Sequence, residues 1–211
     1  MVYARLKTFN ENFLMMGKGK NNRFRWYHGA LFFAGITLVE RGLEAIVKKA
    51  PATPNARQDD REFYKDQRQA IFAPPGKAFP VAWAINDIAT IWGNLRVLNK
   101  PAGTPGRQEY LGLQAASWGV YSLFTALHFG LRSPVNALVL TTAHAGLNIA
   151  SELVAIHKLK DQKVAVSLAP VLCWLAVALP TAITSALWNR DRFYKTGPLV
   201  IPESRWLKKS A

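Results

Sequence analysis

Two long stretches without a single charged residue constrain this chain more than anything else in it. Residues 110–131 (22 positions) and 164–188 (25 positions) contain no Asp, Glu, Lys or Arg. A bilayer core about 30 Å thick is crossed by roughly 20 residues of helix, so both stretches read as membrane spans. Three further segments extend the pattern. Residues 134–156 carry only Glu152, residues 78–98 carry Asp87 and Arg96, and residues 28–47 carry Glu40, Arg41 and Glu44 in their second half. The expected fold is all-α: a five-helix transmembrane bundle. The overall mean hydropathy of +0.01 looks like that of a water-soluble protein, but it averages these apolar stretches with charged connections.

The ends of the helices are well marked. Pro80 falls in the first turn of the second span, where its missing N–H costs nothing. Ser133-Pro134 predicts the start of the fourth, with Ser133 as N-cap, so the third and fourth spans form a tight hairpin around Gly130-Leu131-Arg132. Pro170 and Pro180 lie inside the fifth span and are expected to bend it. The first span is not expected to be a cleaved signal peptide, because its apolar core begins late and Glu-Arg follows it. Glu40, Glu44 and Lys48 share one helical face, with Arg41 placed to pair with Glu44, and mark where that helix should leave the membrane.

The charge balance is strongly basic, with 27 Lys+Arg against 13 Asp+Glu, a net +14. The basic residues divide almost evenly between the two sets of loops, so loop charge sets no orientation. Three regions follow: a basic N-terminal extension (1–27), the membrane domain (28–188) and a C-terminal extension (189–211). Both extensions are expected to be ordered by contacts with other polypeptides, since nothing in so small a bundle offsets the entropy of fixing them. A single cysteine, Cys173, excludes an internal disulfide or a cysteine zinc site. His28, His128, His144 and His157 are too scattered for a metal motif. No nucleophile–base arrangement, phosphate loop or dinucleotide fingerprint is present, so neither an enzyme nor a nucleic-acid binder is expected.

The segment FYKDQRQAIFAPPGKAFPVAW, residues 63–83, resembles the signature of the TspO family, the translocator or tryptophan-rich sensory proteins. Tyr64, Phe72, Pro74, Pro75, Gly76, Phe79, Pro80 and Trp83 hold family residues at family spacing. HFGLRSP (128–134) is similar to the family's hairpin between the third and fourth helices, and Pro170, Trp174 and Ala178 resemble a run of its fifth helix. The likeness covers about residues 63–188 and implies a five-helix bundle with a porphyrin or sterol pocket closed by the first loop. The departures fall around that pocket. Phe63 stands where the family has Trp, Gln67 where it has Leu, and Ala70 where it has Pro. Tyr121, Phe124 and Thr125 replace a polar pattern of the third helix, Ala182 replaces an Asn, and Asp87 takes a place usually held by Tyr.

Asp87 lies mid-span, where an ionised group is costly. Trp83, Asp87, Thr90 and Asn94 form one polar stripe, and His144, Asn148 and Glu152 form another on the fourth span. The two stripes describe either a polar cleft for a ligand or proton, or interhelical polar packing. Asp87 and His144, at similar depth, are expected to pair. Tyr64, Phe72, Pro75, Trp83, Asp87, His144 and Trp174 are the candidate ligand-binding residues. The segment 63–83 is expected to fold over one end of the bundle near Trp83. The preferred function is that of an accessory subunit of a large organelle complex, of respiratory or ATP synthase type. It would sit in the mitochondrial inner membrane among other subunits and bound cardiolipin-like lipid. The alternative is a free-standing porphyrin- or sterol-binding protein of TspO type, and a third reading is proton transport past Asp87 and His144.

Overall fold

The computed structural model describes residues 23–48 and 62–208. Most of the N-terminal extension (1–22), part of the first loop (49–61) and residues 209–211 lie outside the described residues. The fold is all-helical. Among the described residues there are five long helices: α1 Trp26–Lys48, α2 Ala78–Leu98, α3 Arg107–Phe124, α4 Pro134–His157 and α5 Gln162–Trp188. By length and composition α4 and α5 are apolar enough to cross a membrane.

α5 is the central post. It packs against both α4 and α2, while α3 packs against α4. The α2–α5 approach depends on Gly93, where an added Cβ would stand 2.0 Å from Ser167 Oγ. The inner face of α5, with Val164, Leu168, Val171 and Leu175, forms the apolar core with Val97, Tyr110, Val154 and Ala155. Pro170 and Pro180 both sit within the helix, which runs unbroken to Trp188.

α3 does not continue as an α-helix to residue 131. It passes into a π-helical segment, Thr125–Gly130, and this wider turn is the surface on which α1 chiefly rests. Glu40 of α1 accepts a short hydrogen bond from the Thr125 hydroxyl. Glu44 is only 2% exposed and pairs with Arg41 at 3.5 Å. The two carboxylates of this face therefore turn into the protein, Glu40 onto Thr125 and Glu44 into a buried position beside Arg41. Lys48 ends the described part of the helix.

The α3–α4 hairpin forms as the sequence predicts. Ser133 is the N-cap of α4, its Oγ accepting from Asn136 N at 3.1 Å, with Pro134 in the first turn. Arg132 before it takes a left-handed conformation (φ 51°). Ser133 Oγ in turn donates to buried Asp191 at 2.6 Å, and Asp191 also accepts from Val135 N and Tyr194 N at 3.1 and 2.8 Å.

That last set of bonds ties the C-terminal extension, through residue 208, to its own bundle. After Asp191 a tight turn closes at Thr196. Leu199 N and Val200 N donate to Leu187 O, Ile71 N donates to Trp206 O, and Lys208 N donates to Gln69 O. Backbone bonds and one buried carboxylate thus hold the tail from within the chain, where the sequence suggested that nothing in so small a bundle would offset its ordering.

At the opposite end, Asp161 is the N-cap of α5, accepting from Lys163 N and Val164 N. It also bonds Arg96 Nε at 2.9 Å and Lys100 Nζ at 2.7 Å. Burial alone would lift the Asp161 carboxyl. The hydrogen bonds and charges of Lys100 and Arg96 outweigh it and hold the group below the ordinary aspartate value.

A depressed folded-state pKa stabilises the fold above the unfolded value of about 3.9, and that stabilisation is lost as pH falls through the folded value. Thermal unfolding in detergent should therefore shift to lower temperature under acid, and Asp161→Asn should flatten this dependence. Asp191→Ala removes three bonds to a buried carboxylate and should cost about 3 kcal/mol. Ser133→Ala should cost about 1 kcal/mol. Unfolding curves in one detergent check both.

Candidate functional site

One set of polar residues in the bundle interior lies on the facing surfaces of α3 and α4. Gln114, Ser117 and Tyr121 recur at three- and four-residue steps along α3, and His144, Asn148 and Ser151 do the same along α4, so each set shares a face. Asn148, almost fully buried, is the hub. Its Oδ1 accepts from Gln114 Nε2 at 3.3 Å, and its Nδ2 donates to Ser117 Oγ at 2.9 Å and to His144 O at 2.8 Å. Gln114 Nε2 also donates to Ser151 Oγ at 2.9 Å.

Ser117 Oγ also lies 3.1 Å from His144 Nδ1, so the hydroxyl links Asn148 to the imidazole. His144 Nε2 is buried without a partner among the described residues.

Asp87 does not pair with His144. Its Oδ2 accepts from Tyr121 OH at 3.2 Å. The physical reason lies in the packing order: α2 and α4 make no substantial direct contact, and α3 and α5 stand between them. The Trp83 ring fills the space instead, edge-on to Tyr121 at 5.2 Å and to His144 at 5.8 Å.

Trp83, Asp87 and His144 nevertheless line one cavity, together with Ser117, Trp118 and Tyr121. It measures about 10 Å³, the room of a single water. Pockets for drug-sized ligands run to roughly 300–1,000 Å³. Aromatic rings account for the difference. Trp118 packs on Tyr121 at 5.2 Å and on Phe32 of α1 at the same distance, and Trp174 packs on Trp83 at 6.5 Å.

The other candidates divide. Trp174 stands beside the cavity without lining it. Tyr64 connects to it through rings, edge-on to Phe79, which is edge-on to Trp174. Burial pushes the Tyr64 phenol up to about 12, so it is a neutral donor, bonding Pro74 O at 3.0 Å. Phe63 is buried against His128 and Phe129, under the Arg132 guanidinium. The first loop therefore folds over the end of the bundle, but not with all the expected residues. Phe72 is 46% exposed and Pro75 is exposed, because Ala70, Ala73 and Pro74 take the inward positions. Of the polar stripes, Asn94 and Glu152 stay outside the cavity, while Thr90 and Asn148 line it. The sequence reading did not single out Asn86, Gln114 or Ser117. The spacing of Gln114, Ser117 and Tyr121 on an uncharged span was the signal for the last two.

A bundle of long apolar helices, a loop folded over one end and an interior of tryptophan rings around a few polar groups define a class of membrane helical protein. The TspO/MBR family model matches residues 42–188, and the chain belongs to that family. No curated protein matches the chain.

Asn148→Ala should remove the hub and cost roughly 2–3 kcal/mol, whereas Tyr121→Phe, which strips one donor from Asp87, should cost about 1 kcal/mol. Denaturant titration in mixed micelles measures both. Equal costs would contradict the hub assignment.

Proposed function

We propose that this TspO/MBR protein is a non-enzymatic accessory subunit of a larger membrane complex, with all five helices crossing the bilayer and the interior serving packing. The observation that carries the reading is the closed interior: about 10 Å³ remains where a ligand-binding member of such a family needs a pocket. The outer surface supports it. Leu31, Leu38 and Ile46 of α1 and Val139, Ile149 and Leu153 of α4 face outward, an apolar exterior suited to lipid and to neighbouring helices. The excess of basic residues suits anionic lipid, cardiolipin among them, and acidic partner subunits. The mitochondrial inner membrane, with a complex of respiratory or ATP synthase type, is the setting that fits these properties.

One observation favours the second reading, a free-standing porphyrin or sterol binder. Buried Trp118 Nε1, Trp174 Nε1 and His144 Nε2 have no partners among the described residues, and they surround or adjoin the cavity.

The test is the native state of the chain. Tagged at its C-terminus, expressed at its natural level and released in mild detergent, it should migrate with fixed partner polypeptides at several times 23.5 kDa. Native electrophoresis followed by mass spectrometry of the band reads the outcome. A monomer or homodimer free of other chains would overturn the accessory role.

A further inference from the structure

The end of α5 carries a second feature, away from the aromatic cavity. Between the turn at residues 62–68 and the start of the tail lies an open cleft of about 510 Å³. Phe63, Gln67, Asn189, Arg190 and Arg192 form its walls, with Asp66 as the one carboxylate. Arg190 and Arg192 form no ion pair among the described residues. Gln67 Oε1 accepts from Ser185 at 2.7 Å, and its Nε2 is buried without a partner among the described residues. The Arg132 guanidinium lies 5.1 Å over the Phe63 ring, adding positive charge beside the cleft.

The negative end of the α5 dipole would oppose an anion here, but it is covered. Arg68 Nη1 donates to Trp188 O, Asn189 donates to Ser185 O, and Leu199 N and Val200 N donate to Leu187 O. These last two bonds hold the apolar run Leu199-Val200-Ile201 against the final turn of α5. Leu199 and Ile201 are 76% and 80% exposed there. A basic cleft at the end of a membrane helix, with bare aliphatic side chains beside that helix's last turn, has the chemistry of a phospholipid: an anionic head and apolar tails.

We propose that this cleft binds the phosphate headgroup of an anionic membrane phospholipid, with Arg190 and Arg192 taking the phosphate and Leu199 and Ile201 lying against the acyl chains. The site rests on the membrane reading above. It makes the tail a lipid-holding strap as well as a cover for the bundle end.

The experiment uses the full chain in nanodiscs of phosphatidylcholine, with or without phosphatidylglycerol or cardiolipin. Native mass spectrometry counts the phospholipid retained after release. The wild-type chain should keep anionic lipid selectively. At about fivefold for each basic residue at a membrane surface, Arg190→Gln with Arg192→Gln should weaken retention roughly 25-fold. Leu199→Ser with Ile201→Ser should also lower retention. Arg205→Gln, an exposed arginine outside the cleft, should leave it unchanged. Circular dichroism confirms that each variant is folded. Undiminished retention in the double-arginine variant overturns the site, and so does an equal loss with Arg205→Gln, which would mean surface charge alone. Displacement of the lipid by inorganic phosphate would reassign the cleft to free anions, and a partner polypeptide retained in place of lipid would reassign it to protein. Alkaline carbonate extraction separates the two levels of the account. Release of the chain from membranes overturns the membrane reading, whereas a chain that stays embedded without lipid preference overturns only this site.

Discussion

Asn148 holds the interior together. One buried amide accepts from Gln114 and donates to Ser117 and to the His144 carbonyl, tying α3 to α4 at mid-height and reaching the His144 ring through Ser117. In a setting without water, such groups must find partners inside the protein, and their geometry then fixes which helix faces meet. Once α3 and α4 are locked, Tyr121 reaches Asp87 on α2, and Trp83 and Trp118 fill the space around them. The same set of side chains that could have lined a pocket closes it.

A closed interior moves the interest to the ends and the exterior. At one end, Asp161 gathers Arg96 and Lys100 and caps α5. At the other, Asp191 gathers Ser133, Val135 and Tyr194 and fixes the tail across the hairpin. Two asparagines do parallel work at helix C-caps. Asn99 brackets the Phe24 peptide, accepting from its N–H and donating to its carbonyl, and Asn189 brackets the Arg68 peptide in the same way. Each joins a helix end to a segment distant in sequence. The tail and first loop thereby form one folded cap, with the basic cleft between them.

The helices themselves were legible in the sequence because charge-free length and Pro or Ser-Pro starts act locally. The family resemblance was legible for the same reason, in residues 63–83 and 128–134, and the family match extends over residues 42–188. What could not be read depended on which helices touch. Asp87 and His144 looked like partners because their depth is similar, but the packing order puts α3 and α5 between their helices and gives each acid or base a partner on α3. Glu40 and Glu44 share one face by their spacing, but nothing local shows that this face turns inward, with Glu40 taken up by Thr125 of the π-turn and Glu44 buried beside Arg41. Phe72 had family spacing and still points outward, since the alanines beside it occupy the inner positions. The two C-cap asparagines left no signal, because a side chain that clamps a remote peptide has no sequence partner to reveal it.

The central claim is that the interior is packing rather than a ligand site. Titration of the purified full-length chain with protoporphyrin, followed by quenching of tryptophan fluorescence, tests it most directly. Trp83, Trp118 and Trp174 lie in or beside the cavity and would report any porphyrin entering it. The account predicts weak, non-saturating quenching that Trp118→Phe leaves unchanged. Saturable quenching at one porphyrin per chain, reduced by Trp118→Phe, would contradict it.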